Sequence, residues 1–174
     1  MLTINHRLVA CSEIWHDYVM EAYLPESDFL CSILNEEVSF ESDFGARNLA
    51  LLITMLDDPI DANRDWATFF LATSDHDSPA IRAALLKAAK DPHFDTRCEA
   101  LSGLAQRNVE GVEALVLEAL NGDHIGELMF EAAQYVAKAE LVPALEEIKL
   151  FWDDDNSALN FAIECCKTGI SARY

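Results

Sequence analysis

Three histidines invite a metal. His76 stands between Asp75 and Asp77, and His93 and His124 follow at a spacing that places them in successive turns along one edge. Neutral imidazoles and carboxylates are the donor types a divalent cation takes. Isolated histidines in polar turns are nevertheless expected to be solvated turn residues. Ser74 and Ser78 flank His76 and Asp77, but closeness within one loop does not supply the nested geometry of a hydroxyl nucleophile, its base and the group that orients the base. Cys165 and Cys166 are adjacent, and on a helix their thiols point about 100° apart, which argues against a chelate or a bond between them. One thiol is expected in the core and one at the surface.

None of these is a catalytic set, so the elements that hold them become the subject. Asp58-Pro59-Ile60-Asp61-Ala62-Asn63-Arg64-Asp65-Trp66-Ala67 aligns with Asp91-Pro92-His93-Phe94-Asp95-Thr96-Arg97-Cys98-Glu99-Ala100. The same alanine register returns at Ala132 and Ala162. A spacing near thirty residues that relates four copies marks a repeat array. Ala67, Ala100, Ala132 and Ala162 are read as packing residues, small because one hairpin must approach the next closely. Leu49, Leu52, Ile53 and Leu56 form an apolar stripe at helical spacing. So do Ile81, Ala84, Leu85 and Ala88, and then Val112, Leu115, Val116 and Ala119. Asp-Pro ends the first helix of a repeat, and Asp61 and Asp95 are expected to cap the second.

The fold expected is therefore all-α, an α-solenoid of about five stacked helical hairpins in one domain over residues 1–174. A divergent N-terminal helical pair occupies 1–42, near Leu8 to Tyr23 and Ser27 to Val38. Four recognisable repeats fill 43–168, as Asp43 to Thr73, Ser78 to Arg107, Val109 to Lys138 and Leu141 to Lys167. Residues 169–174 are a tail, and Ser39 to Asp43 is the loosest join.

The run Asp58-Pro59, Asn63 to Phe69, Ile81 to Leu85 and Arg97 to Leu101 resembles the small bacterial HEAT-repeat proteins over about residues 43–168. The Asp-Pro turn followed by arginine, here Arg64 and Arg97, is that family's mark. Met129 and Leu159 replace it in the later copies. The resemblance implies that Arg64 and Arg97 are structural and hydrogen-bond between adjacent repeats. Members of the family include scaffolds, bilin lyases, iron-dependent hydroxylases and alkylpurine DNA glycosylases. The hydroxylases need His-Glu pairs, and the chain has no such dipeptide, offering only Cys98-Glu99 and Phe130-Glu131. The glycosylases need a basic groove beside residues such as Trp66, Phe70 and Glu99, and the charge here has the wrong sign. No motif specific to a lyase is present.

That charge is the other strong feature. Thirty-one acidic residues against 12 basic give a formal net charge of -19, a field that repels phosphate backbones and favours a basic protein surface. Five cysteines without CxxC spacing, the absence of a leader-like N-terminus and the shortness of the apolar run Leu49 to Leu56 point to a cytoplasmic chain with no membrane partner.

In a solenoid the second helices line the concave side. Relative to each repeat alanine, positions −1, +3 and +6 are read as the stripe facing away from the core. It comprises Trp66, Phe70 and Thr73; Glu99, Gly103 and Gln106; Glu131, Tyr135 and Lys138; and Phe161, Cys165 and Thr168. A register displaced by one residue would instead turn Trp66 and Phe70 into the core. The expected partner-binding residues are Trp66, Phe70, Glu99, Gln106, Glu131, Tyr135, Lys138 and Phe161, aromatics supplying contact energy and carboxylates selecting a cationic partner. The expectation is a protein-binding chain that is not an enzyme and takes no cofactor or metal. Its most concrete form is an acidic immunity or antitoxin-type protein that neutralises a basic toxin, with a general scaffold as the alternative and a chromophore lyase as a remote one.

Overall fold

The computed structural model describes residues 23–152 and 157–173. All regular structure among them is helical. The chain divides after His76 into two compact units.

The first unit contains α1 (Asp28–Leu34), α2 (Gly45–Met55) and α3 (Asp61–Thr73), with both α1 and α2 packed on α3. The expected helix at Leu8 to Tyr23 lies, except for Tyr23, outside the described residues. The helix expected over Ser27 to Val38 stops early, and Glu36 just beyond it takes a positive φ of 61°. The join before α2 is far from loose. Ser42 Oγ donates to the Ser39 carbonyl, Asn48 Nδ2 donates to the same carbonyl, and the Gly45 amide donates to Ser42. A Cβ on Gly45 would sit 1.9 Å from the Phe40 carbonyl oxygen, so only glycine lets the loop fold back this tightly.

The second unit holds α4 (Pro79–Ala88), α5 (Phe94–Gln106), α6 (Val112–Leu120), α7 (Glu127–Val136), a 3-10 turn (Ala139–Leu141), α8 (Val142–Lys149) and α9 (Ser157–Thr168). Three helix pairs follow one another at the expected positions, and α7 packs against both α5 and α9. α4 starts by the rules for helix starts: Ser78 Oγ accepts the Ile81 amide and Pro79 fills the first turn, where its missing N–H costs nothing. The stripe residues Ile81, Leu85 and Val116 are fully buried, and so are Leu104, Phe130, Leu145 and Leu159 from the partner helices. All four repeat alanines, Ala67, Ala100, Ala132 and Ala162, have no exposed surface. At each, an added methylene would have to displace close-packed neighbours.

The Asp-Pro turns close in a way the sequence reading missed. The helices begin at Asp61 and Phe94, so Asp61 and Asp95 lie in the first turn, where their charge suits the helix dipole, and neither is the cap. The closing carboxylates are Asp58 and Asp91, whose Oδ1 atoms accept the amides of Ile60 and His93 at 2.9 and 2.8 Å. These are Asx turns. Arg64 Nη1 donates to the Asp58 carbonyl and Arg97 Nη1 to those of Asp91 and Pro92, the latter two at 2.8 Å. Each arginine thus ties its helix to the turn of its own repeat. Phe94 makes the link onward in the second unit: its ring lies beneath the Arg97 guanidinium, beside the His124 ring, and within 3.2 Å of where a Cβ on Gly126 would be.

Candidate protein-binding face

A helix turns about 100° per residue. With a buried repeat alanine at zero, position −1 falls near 260°, +2 near 200° and +6 near 240°, all opposite the core. Position +3 falls near 300°, only about 60° from the alanine. The structure follows this arithmetic. Phe70, Gly103 and Cys165, all at +3, are buried, which removes Phe70 and Cys165 from the exposed stripe. Their places are taken by the +2 residues Phe69, Gln134 and Glu164, with Ser102 buried among them.

In the first unit, Trp66 is half-buried rather than presented. Its Nε1 donates to the Tyr23 carbonyl at 2.7 Å, and its ring meets Phe69 and Phe70 with centroids 5.8 and 5.6 Å away. The three rings form one aromatic cluster on α3. The displaced-register alternative therefore describes Phe70 fully and Trp66 in part.

In the second unit the stripe is continuous. Asp95, Glu99 and Gln106 lie on α5, Glu127 and Glu131 on α7 with Lys138 just past its C-terminal end, and Phe161, Glu164 and Thr168 on α9. Asp95, Gln106, Glu127, Lys138 and Glu164 are exposed, and Phe161 is 51% exposed, a large ring left in water. Glu99, Glu131 and Tyr135 are half-buried. Glu131 bridges neighbouring helices. Its Oε2 accepts from Ser102 Oγ of α5 at 3.4 Å, and its Oε1 accepts from the Tyr135 hydroxyl at 3.3 Å. A carboxylate held by two hydroxyls keeps its charge in a fixed place.

Within the expected tail 169–174, residues 171–173 are docked. Gly169, at φ 69°, ends α9 in the left-handed conformation that glycine adopts without penalty, and the chain reverses. The Ala172 amide then donates to the Gln134 carbonyl, Ser171 Oγ to the Tyr135 carbonyl, and Arg173 Nε to the Ala105 carbonyl, at 3.1, 2.8 and 3.1 Å. These acceptors belong to the last turns of α7 and α5, where carbonyls lack partners within the helix. Gly169 after Lys167-Thr168 is the sequence signal that would have announced the reversal.

The remaining candidates have ordinary placements. His76 Nε2 lies 3.4 Å from Glu41, His93 Nδ1 lies 3.1 Å from the Thr96 hydroxyl, and the His124 ring lies tilted beside Phe94. Among the described residues no three His, Cys, Asp or Glu side chains cluster closely enough to hold a metal ion. Cys165 and Cys166 are both buried, correcting the expectation that one is exposed. Burial raises the Cys165 thiol and pushes Cys166 up to about 11, so both stay protonated and weakly nucleophilic at neutral pH.

No family model matches the chain. It is 27% identical over 139 residues to Protein YibA of Escherichia coli (strain K12) and to Protein YibA of Escherichia coli O157:H7, alignments that cover 80% of this chain and 46% of each relative. The X-ray structure of the Escherichia coli YibA protein superposes with a TM-score of 0.59 at 25% identity, over 80% of this chain and 54% of that one. The chain spans about half the length of the relatives it matches. No described helix is long and apolar enough to cross a membrane.

Proposed function

We propose that the chain is a non-catalytic protein-binding domain, an α-solenoid of HEAT-like hairpins whose second helices clamp a basic protein in the cytoplasm. Its most concrete form is an immunity or antitoxin-type protein that neutralises a cationic toxin such as a nuclease. The observation that carries this reading is the outward stripe of the second unit, where Asp95, Glu99, Glu127, Glu131 and Glu164 share with an exposed Phe161 three helices of which the middle one packs on both others. Exposed and half-buried carboxylates on one face with an aromatic anchor suit a cationic surface, steering encounter electrostatically and releasing water from the ring on contact.

The test is capture of partners from the source cell's lysate at low and high salt, with a Phe161→Ala, Glu131→Lys, Glu164→Lys variant alongside. A basic partner held at low salt, released at high salt and lost in the variant is the expected result. If that partner is a toxin, its activity should fall in proportion to added chain. A partner equally retained by the variant, or held without salt sensitivity, overturns the acidic face and leaves a general scaffold.

A further inference from the structure

The docked tail shows what the ends of the second helices can bind. Ala105 on α5, whose carbonyl also accepts the Asn108 amide, and Gln134 and Tyr135 on α7 present main-chain carbonyls along one track, and the segment after Gly169 crosses it with an amide, a hydroxyl and a guanidinium as donors. The track is built from backbone acceptors at the negative ends of two adjacent helix dipoles, so it favours a cation without requiring a carboxylate. Arg173 is half-buried here, and that burial lowers its pKa. Ile170 in the same segment is 69% exposed and adds little burial to hold the strap.

The geometry points to a carbonyl-lined track across the C-terminal ends of α5 and α7 that binds an extended, arginine-bearing peptide segment, occupied at rest by the chain's own tail and opened to a basic partner segment by its displacement. The identity of the displacing partner rests on the basic-partner reading above, whereas the track and its preference for arginine do not. Tail and partner segment would compete for the same acceptors, so the tail sets a threshold that a weakly basic segment does not cross.

The experiment uses the full chain and a labelled synthetic peptide with the sequence of residues 169–174. Ser171→Ala with Arg173→Ala in the protein weakens the resident tail without shortening the chain. Fluorescence anisotropy should then show the peptide binding this variant about tenfold more tightly than the unaltered chain, the gain expected when a tethered competitor is removed. Replacing the peptide's arginine by alanine should abolish that binding. Equal affinity for both proteins, no saturable binding to a variant whose circular dichroism matches the parent, or indifference to the arginine each overturns the track. If the variant misfolds, hydrogen exchange on the unaltered chain decides: slowed exchange at the Ala172 amide supports the docked tail, and exchange at the free-peptide rate refutes it. Failure of the peptide leaves the acidic-face reading standing, because the Glu131→Lys and Glu164→Lys capture test does not involve the tail.

Discussion

The turns at 58–64 and 91–97 and the turn at 120–127 make the same helix-to-helix reversal from different chemistry. The first two use an aspartate carboxylate to close the turn and an arginine to hold the turn carbonyls. The third has neither. It relies on glycines, with Gly126 pressed against the Phe94 ring of the preceding repeat. At the arginine position it carries Met129, which is 3% exposed, where Arg64 and Arg97 are half-buried with their heads on the turn. The same fold position is thus a polar clamp in one repeat and core in another. The arginine marks a turn that must be closed from within, and a repeat can lose it when the neighbour supplies the contact.

Exchanging the residues across this pair tests that statement. Met129→Arg should have the largest effect, destabilising by about 3 kcal/mol or more, because a guanidinium would enter the core where no Asp-Pro turn offers it carbonyls. Urea unfolding followed by circular dichroism measures it; a loss below about 1 kcal/mol would mean that the third turn can accept the clamp after all. Next is Gly126→Val, expected to cost about 2 kcal/mol by forcing side-chain atoms against Phe94. Pairing it with Phe94→Ala should recover part of that loss, and strict additivity would show that the two residues do not meet in solution. Arg97→Met, the reverse exchange, should cost about 1.5 kcal/mol, the worth of charge-assisted bonds to two carbonyls. Arg97→Lys should rescue little, since an ammonium lacks the guanidinium fork.

Much of the fold is legible in the sequence and rather less of the face. The repeat alanines and apolar stripes locate helices from 45 to 168 within a few residues, because periodicity and packing at close approach constrain every copy alike. The turn chemistry was half read: Asp-Pro identified the breaks, but the carboxylate that closes each turn precedes the proline instead of opening the next helix. The face departs from expectation at Trp66, which is tied to the Tyr23 carbonyl, and at the +3 register. Reading +3 as outward brought in Phe70 and Cys165, which lie about 60° from the core alanine, where reading +2 would have selected Phe69 and Glu164. The tail bears no periodicity at all, and its docking depends on backbone acceptors that carry no residue signature.

The smallest expected effect concerns the last hairpin, which has neither an Asp-Pro clamp nor a glycine wedge. Lys167 Nζ on α9 reaches Glu146 Oε1 on α8 at 2.6 Å, an exposed pair that ties the two helices together. The Lys167 hydrogen bond, aided by its charge, holds the Glu146 carboxyl below its ordinary value. A carboxyl with a depressed folded-state pKa stabilises the fold fully above the unfolded-state value, near 4.5, and loses that contribution as pH falls through the folded-state value. Lys167→Met should therefore leave the fold slightly less stable at pH 7 and indistinguishable from the parent once Glu146 is protonated in both states. Solvent and salt screen the pair, so high salt should shrink the pH 7 difference. Thermal melts of both proteins across that range measure it. A difference that persists unchanged in acid would assign the effect to the packing of the Lys167 stem on the hairpin and not to its charge.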